Sequence, residues 1–328
     1  MGKIVTFGEL MLRLSPENYL RFAQSDRYDA TFGGAEANVA AALSCFGQDA
    51  AFVTKLPDNE IGGVAINRLR ALGVDTSKIV RGGERMGIYF CERGACHRPS
   101  NVVYDRAHSA IAQADAADFD WDSIFDDADW FHFSGITPAL SDGLSDICLA
   151  ACKKAKQKNM TVSCDLNYRR KLWQKDKAYT VMRKFCEYVD YWKDVFDDEY
   201  PQIEDIDACM DAASGTAKKY GFKGVAVTRR EQNERGDASI SGVFATAENA
   251  YASRSYSVNT VVDRVGAGDA FCAGLIYSIA NNFDPQKTAE FAAAASCIKH
   301  GIAGDLCLAS AAEVEALASG DGGGMIRR

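Results

Sequence analysis

The residues best suited to chemistry lie together at positions 266–269, in the order Gly266, Ala267, Gly268 and Asp269. A β-branched run precedes them at 256–262, and a run of small apolar residues follows at 270–280. This order predicts a strand, a glycine turn and a helix. Two glycines let backbone N–H groups approach a ligand closely, and a helix N-terminus adds its positive dipole. The stretch therefore predicts an anion hole for a phosphate.

Asp269 is the one carboxylate of this stretch. An acceptor hydroxyl must lose its proton when it attacks a phosphoryl group, and a carboxylate beside the anion hole is placed to take that proton. The backbone N–H groups of Gly266, Ala267 and Gly268 would stabilise the charge on the transferring group. The combination predicts phosphoryl transfer to an alcohol.

Other phosphate-binding loops do not fit the same stretch. The third glycine of the dinucleotide fingerprint G-x-G-x-x-G is replaced by Phe271, and the P-loop pattern G-x-x-x-x-G-K-[ST] is absent from the chain. A Gly-x-Gly turn before a helix is common, so a purely structural turn is the alternative interpretation.

The composition is that of a globular protein of 328 residues, long enough for one large α/β domain. A net charge of −8 disfavours nucleic acid and anionic membranes as partners. No apolar stretch is long enough to span a bilayer, and Met1 leads directly into a strand, so we expect no signal peptide and a cytoplasmic location. The 11 cysteines include no CxxC pair and lie mostly in apolar runs, which predicts reduced core residues.

Strand-like and helix-like segments alternate along most of the chain. Short β-rich runs at 3–7, 51–54, 130–134, 161–165 and 224–228 are separated by helical runs such as 35–46 and 141–158. The alternation predicts a doubly wound, mostly parallel α/β sheet with helices on both faces. Ligands bind outside the carboxyl ends of the strands in such sheets, where polar or small residues stand here.

Segments 11–32 and 86–106 do not follow this rhythm, and we expect them to form a small β lid on a single domain that spans 1–328. The second segment has the pattern of a hairpin. Strict alternation places Tyr104 and Arg106 on one face, and Tyr89 and Cys91 share a face of the partner strand. The alternative is a surface hairpin whose tyrosine only packs.

The longer string at 263–271, Asp-Arg-Val-Gly-Ala-Gly-Asp-Ala-Phe, resembles the C-terminal signature of the ribokinase-like, or PfkB, carbohydrate kinases. The string at 33–38, Gly-Gly-Ala-Glu-Ala-Asn, resembles the N-terminal signature of that family. The resemblance covers nearly the whole chain. Within the family, the chain most resembles the subgroup that acts on 2-keto-3-deoxygluconate. The segments that carry this resemblance are 7–16, 103–110, 132–136, 165–173 and 304–305.

The resemblance implies a set of sugar-acid contacts: Gly33, Gly34, Asn38, Tyr89, Tyr104, Arg106, Ile136, Arg169 and Asp305. The chemistry of an acid agrees, because a guanidinium can hold a carboxylate through two parallel hydrogen bonds. One of the two arginines would serve the sugar carboxylate and the other the transferring phosphate. Surface salt bridges are the alternative for each arginine.

Thr228 matches the nucleotide-side threonine of the family, and His300 is a candidate neighbour of the purine. An ordinary strand residue and a structural histidine are the alternatives. Many relatives carry an Asn-x-x-Glu motif after the strand that follows the Asp165 region, and this motif helps to organise Mg²⁺. The corresponding stretch of this chain, 189–199, contains no Asn-x-x-Glu. Asp194, Asp197 or Glu199 could replace it, since Mg²⁺ prefers oxygen ligands, or the acidic run is a solvated loop.

The resemblance implies ATP, Mg²⁺ and a monovalent cation as cofactors, and self-association through the β lid. The implied reaction is ATP-dependent phosphorylation of the C6 hydroxyl of 2-keto-3-deoxygluconate, which gives 2-keto-3-deoxy-6-phosphogluconate. Two alternatives stay open: a kinase for fructose, ribose or another keto-deoxy acid, and a non-catalytic sensor of a sugar or nucleotide. The missing Asn-x-x-Glu favours the sensor, and the intact loop with Asp269 favours a kinase.

Overall fold

The computed structural model describes residues 2–95, 97–196, 205–232, 238–258 and 260–320. The strands are β1 (Lys3–Phe7), β2 (Met11–Pro16), β3 (Tyr28–Gly33), β4 (Ala50–Val53), β5 (Lys55–Leu56), β6 (Val80–Arg81), β7 (Gly87–Glu92), β8 (Asn101–Asp105), β9 (Ala128–Ser134), β10 (Thr161–Asp165), β11 (Tyr191–Lys193), β12 (Gly224–Gln232), β13 (Ala238–Ala245), β14 (Ala250–Ala252) and β15 (Tyr256–Val258). The helices are α1 (Ala35–Cys45), α2 (Glu60–Arg70), α3 (Trp121–Ile124), α4 (Ile136–Ala139), α5 (Asp142–Gln157), α6 (Lys175–Arg183), α7 (Ile206–Tyr220), α8 (Ala267–Ala280), α9 (Pro285–Lys299) and α10 (Ala311–Ser319).

The main sheet has nine strands in the described part of the chain, in the order β14-β13-β12-β11-β10-β9-β1-β4, with β15 also paired to β13. The six strands from β12 to β4 are parallel, and β13 joins β12, β14 and β15 in antiparallel pairs. Parallel sheets need cover on both faces. Six of these nine strands are parallel, so the predicted mostly parallel α/β sheet is confirmed.

Two hydrophobic cores lie on opposite faces of this sheet. Neighbouring residues of β1 point to different cores, since Val5 belongs to one and Ile4 to the other. Helices α5 and α7 contribute to the first core, and α1, α8 and α9 contribute to the second. The predicted cover of helices on both faces is thus observed. No described helix is long and apolar enough to cross a membrane.

Local signals in the sequence set where several helices begin and end. The Ser141 hydroxyl accepts a hydrogen bond from the Leu144 N–H and starts α5, and Gly221 ends α7 with a φ of +73°. Strand β12 differs from the prediction, which ended it at Thr228. It continues to Gln232 because β13 pairs with it along its length.

A second sheet of four strands, in the order β3-β2-β7-β8, forms from the two segments that break the βα rhythm. The chain leaves β1 at Phe7 and enters β2 at Met11, so this sheet starts at the carboxyl end of a central strand. Met11, Tyr89 and Cys91 pack together on its inner side, with Val265 of the predicted anion loop against them. The second sheet therefore borders the strand ends where ligands are expected.

Candidate active site

A cleft of about 1110 Å³ lies between the carboxyl ends of the main sheet and the second sheet. Asp165 and Lys193 contribute from the ends of β10 and β11, Gly266 and Asp269 from the start of α8, and Tyr89 from β7. The fold thus gathers residues that are remote in sequence into one site, as the strand-end rule requires.

The predicted anion loop has a conformation that only glycine supports at position 266. Gly266 has a φ of +84°, and a side chain there would collide with the backbone carbonyl of Asp305. The Ala267 N–H donates to the Arg264 carbonyl at 3.3 Å, which differs from its expected role in the hole. The N–H groups of Gly268 and Asp269 have no partner among the described residues. They remain available to an anion at the positive end of α8.

Asp269 lies in the cleft wall with its carboxylate held by Asn38. The Asn38 Nδ2 donates to Asp269 Oδ2 at 2.6 Å, and the Asn38 Oδ1 accepts from the Gly34 N–H at 3.3 Å. Asn38 is only 3% exposed. The Asn38 amide therefore positions the carboxylate, and the expected contact of Asn38 with the sugar stays a prediction.

Burial raises the pKa of Asp269 to about 6, and the nearby Asp165 carboxylate adds to this increase. The hydrogen bond from Asn38 and the charges of Arg169 and Lys193 act in the opposite direction. A pKa of about 6 leaves the carboxylate mainly ionised at pH 7, yet more basic than an ordinary aspartate. This is the protonation state that a general base needs.

Arg13 organises the other side of the cleft, and it is not among the site residues expected from the sequence. It is 2% exposed, and its Nη1 and Nη2 donate to Asp305 Oδ1 at 2.7 Å and to Asp263 Oδ2 at 2.6 Å. The Tyr89 hydroxyl donates to the second oxygen of Asp305. Both oxygens of Asp305 thus accept bonds from the protein, and the expected contact of Asp305 with the sugar acid stays a prediction. The sequence did contain a signal for this position, because the alternation of residues along β2 places the Arg13 side chain on the same inward face as Met11.

The two predicted arginines have different environments. Arg106 donates through Nε and Nη2 to Glu9, whose other oxygen accepts from the Ser109 hydroxyl. The guanidinium of Arg106 is therefore held within the protein, and its expected contact with the sugar carboxylate or the phosphate stays a prediction. Arg169 is exposed, lines the cleft and has no side-chain partner among the described residues.

The remaining predicted sugar contacts line the cleft: Gly33, Gly34, Ile136 and Tyr104. A side chain at Gly33 would collide with the Asp305 carboxylate, and one at Gly34 would collide with the Glu9 carbonyl. Tyr104 is 40% exposed and lies against Tyr89, with 5.9 Å between the ring centroids. Backbone and aromatic surface therefore face the cleft together.

The structure does not bring Thr228 or His300 to the cleft. Thr228 is exposed within β12, opposite Gly242, because the strand continues past it. His300 is buried, its Nδ1 bonds to the Ser296 carbonyl at 2.8 Å, and burial lowers its pKa. Its carbonyl accepts the Val262 N–H at 2.8 Å. His300 therefore supports the segment before the anion loop, and its expected contact with the purine stays a prediction.

The metal candidates are only partly described. Asp194 lines the cleft and accepts a hydrogen bond from the Val195 N–H at 2.9 Å, whereas Asp197 and Glu199 lie outside the described residues. The described ranges contain no group of three or more His, Cys, Asp or Glu side chains that could hold a metal. Kinases hold Mg²⁺ largely through substrate phosphates with one or two carboxylates. The cleft therefore fits an Mg²⁺ that enters with a nucleotide.

Comparisons with known proteins agree with this geometry. The 2-dehydro-3-deoxygluconokinase of Thermotoga maritima, a solved structure, is 50% identical, with a TM-score of 0.93 over 97% of this chain and 100% of that one. The 2-dehydro-3-deoxygalactonokinase of Haloferax volcanii is 33% identical over 326 residues, 99% of each chain. The 2-dehydro-3-deoxygluconokinase of Bacillus subtilis is 26% identical over 92% of this chain and 90% of its own length.

The sequence profile of the pfkB family carbohydrate kinases matches residues 1–305. That range contains both signatures, the second sheet and every residue of the cleft discussed above. The chain belongs to the PfkB family of carbohydrate kinases and is a sugar kinase.

Proposed function

We propose that this kinase transfers the γ-phosphoryl group of ATP to the C6 hydroxyl of 2-keto-3-deoxygluconate, which is also called 2-dehydro-3-deoxygluconate. The observation that carries the proposal is the joint position, in one cleft, of an anion loop, an ionised base and Arg169, which has no side-chain partner among the described residues. The names of the relatives support the class of acceptor.

The described residues supply the chemistry of the transfer. Asp269 takes the proton of the acceptor hydroxyl as its oxygen forms a bond to the γ-phosphorus and the bond to the ADP oxygen breaks. The N–H groups of Gly268 and Asp269 stabilise the charge on the transferring group. Kinases of this family use ATP with Mg²⁺, and the ion neutralises phosphate charge. General-base help of this kind is typically worth about 10²- to 10⁴-fold in rate.

Arg169 is the residue to which we assign the carboxylate of the sugar acid. The carboxylate and the C6 hydroxyl are at opposite ends of the acceptor, and the base contacts the hydroxyl. The group that binds the carboxylate must therefore lie in the same cleft as the base but must not contact it. Arg169 meets both conditions, because its charge lowers the pKa of Asp269 although the two form no ion pair. Arg106 is already held by Glu9 through Nε and Nη2, so it can offer fewer donors than Arg169.

A second acceptor, the galacto epimer, is favoured by one observation: the Haloferax volcanii relative carries that name and matches over almost the full length of both chains. The two epimers share the carboxylate, the keto group and the C6 hydroxyl, so the residues assigned above would serve either one. Only a comparison of rates separates them.

The experiment is a coupled ADP-release assay with Mg-ATP and five acceptors: 2-keto-3-deoxygluconate, its galacto epimer, fructose, ribose and gluconate. A preference for 2-keto-3-deoxygluconate supports the proposal. A preference for the galacto epimer would make that epimer the assigned acceptor. Turnover of a neutral sugar alone would refute the carboxylate assignment. Binding of a sugar acid and ATP without turnover would refute the kinase mechanism in favour of a sensor.

The second sheet has two further roles in this proposal. It acts as a lid over the bound acceptor, because Tyr89 of β7 and Tyr104 of β8 line the cleft, and this cover would keep water from acting as acceptor. It also mediates self-association, as the family resemblance implies. Sedimentation of the intact chain, and of a variant altered on the outer side of β3, tests the second role. A monovalent cation requirement stays a prediction, tested by omitting K⁺ from the assay.

A further inference from the structure

Lys193 is a buried cation in the cleft that the reaction described above does not use. It is the last residue of β11, in register with Asp165 of β10 and Ala226 of β12, so it stands at the carboxyl end of a central strand. Its side chain is 11% exposed and lines the cleft. A side chain added at Gly268 would place its Cβ 3.8 Å from the Lys193 Nζ. The ammonium group therefore lies beside the anion loop.

Asp165 keeps Lys193 charged. The Lys193 Nζ lies 3.1 Å and 3.0 Å from the two oxygens of Asp165, whose side chain is 4% exposed. Burial disfavours the charged form of Lys193, but the Asp165 carboxylate raises the pKa of Lys193 overall. The Asn167 N–H also donates to Asp165, at 3.0 Å. The pair is thus fixed in place, with the ammonium held protonated.

The hydrogen-bonding capacity of this pair is not exhausted within the protein. An ammonium group carries three N–H donors, and Asp165 can take at most two of them. A buried ion pair is often no more stabilising than a pair of apolar residues of the same size, so stability alone is a weak reason for one in a ligand cleft. The third donor of Lys193 lies next to the N–H groups of Gly268 and Asp269, which have no partner in the part of the chain that the structure describes, and such a set of donors suits an anion.

We propose that Lys193 binds the terminal phosphates of the nucleoside triphosphate and supplies a fixed positive charge at the anion loop. The segment that carries Lys193 is the one that lacks the Asn-x-x-Glu pattern. Lysine is a compact point charge that suits phosphate oxygens and needs no metal to do so. Lys193 forms and breaks no bond during transfer. The inference goes beyond the proposed function and holds for any sugar acceptor.

Lys193→Met removes the charge and keeps the length of the side chain, and Lys193→Arg keeps the charge. Calorimetric titration with ATP in EDTA measures nucleotide affinity without catalysis and without Mg²⁺. We expect Lys193→Met to raise the Kd for ATP by about 10- to 100-fold, the range for loss of one charge-assisted hydrogen bond. Lys193→Arg should recover most of that loss. The Kd for the sugar acid should stay unchanged, because the assigned ligand is the phosphate.

Lys156→Met is the matched control, because Lys156 pairs with Asp190 at 2.8 Å, near the amino ends of β10 and β11, and does not line the cleft. It should leave the Kd for ATP unchanged. The double variant Lys193→Met with Asp165→Asn leaves no unpaired charge, so it also serves if the single variant fails to fold. Its affinity for ATP should stay as weak as that of a soluble Lys193→Met.

Wild-type affinity in the double variant would overturn the proposal, because Lys193 would then only neutralise Asp165. An unchanged Kd in Lys193→Met would overturn it as well. If only the acceptor assignment were wrong, the wild type would still bind ATP and Lys193→Met would still bind it more weakly. Only the assay with the five acceptors would give a result other than the one proposed.

Discussion

Asn38 sets the ionisation of the proposed base, so Asn38→Leu should shift the pH dependence of the kinase. The Asn38 amide donates to Asp269 at 2.6 Å from a nearly buried position, and this bond favours the charged carboxylate. A hydrogen bond to a charged group is worth about 1.5–3 kcal/mol, and one pKa unit corresponds to about 1.4 kcal/mol. Loss of the bond should therefore raise the pKa of Asp269 by about one to two units.

The sign of the effect on rate follows from the role of the carboxylate. The base works only when deprotonated, so kcat/KM should fall about tenfold for each pH unit below its pKa. The wild-type acidic limb should lie near the pKa of about 6, and the limb of Asn38→Leu should lie about one to two units higher. The variant should then lose rate at neutral pH and regain it in alkaline buffer.

The assay is ADP release at limiting sugar acid over a series of buffers, with stability of each variant checked at both extremes. Asn281→Leu is the matched control, because the Asn281 amide donates to the Tyr277 carbonyl at an exposed helix end. That control should leave the profile unchanged. A uniform loss of rate in Asn38→Leu, with the acidic limb at its wild-type pH, would refute the argument that Asn38 acts through Asp269.

Three further variants test the same geometry. Asp269→Asn should lower kcat by about 10²- to 10⁴-fold with little change in KM, and near-wild-type turnover would remove Asp269 as the base. Arg13→Met should leave the buried Asp263 and Asp305 carboxylates without their cation and lower the free energy of unfolding by about 3–5 kcal/mol in urea titration. An unchanged urea midpoint would contradict the proposed network. Gly266→Ala should reduce both activity and thermal stability, because its φ of +84° and the Asp305 carbonyl exclude a side chain, and a fully active, stable variant would contradict this.

The sequence predicted those parts of the site that depend on local order. Residues 266–269 form the start of a helix after a glycine turn, as the pattern indicated, because turn chemistry and helix dipoles act over a few residues. The alternating βα pattern predicted the mostly parallel sheet, because the hydrophobic periodicity that identifies each strand and helix is also a local property of the sequence. The segment 86–106 likewise pairs as a hairpin, with Tyr89 opposite Tyr104.

The contacts that sequence could not predict join distant segments. Arg13 contacts residues 250 and 292 positions away, and Asn38 contacts a residue 231 positions away, so no spacing rule relates them. The continuation of β12 past Thr228 was not predictable for a related reason, since the end of this strand depends on its pairing with β13. The bond of His300 to Ser296 was not predictable either, because a histidine at a helix end has the same local pattern whether it faces a ligand or the interior.

The central claim, that this kinase acts on a sugar acid whose carboxylate is bound by Arg169, is tested most directly by one ratio. The measurement is kcat/KM for 2-keto-3-deoxygluconate divided by kcat/KM for fructose, in the wild type and in Arg169→Ala. We predict a large ratio in the wild type and a fall of about tenfold or more in the variant, because only the acid loses a charge-assisted contact. An equal loss of rate with both sugars, or a wild-type preference for fructose, would contradict the claim.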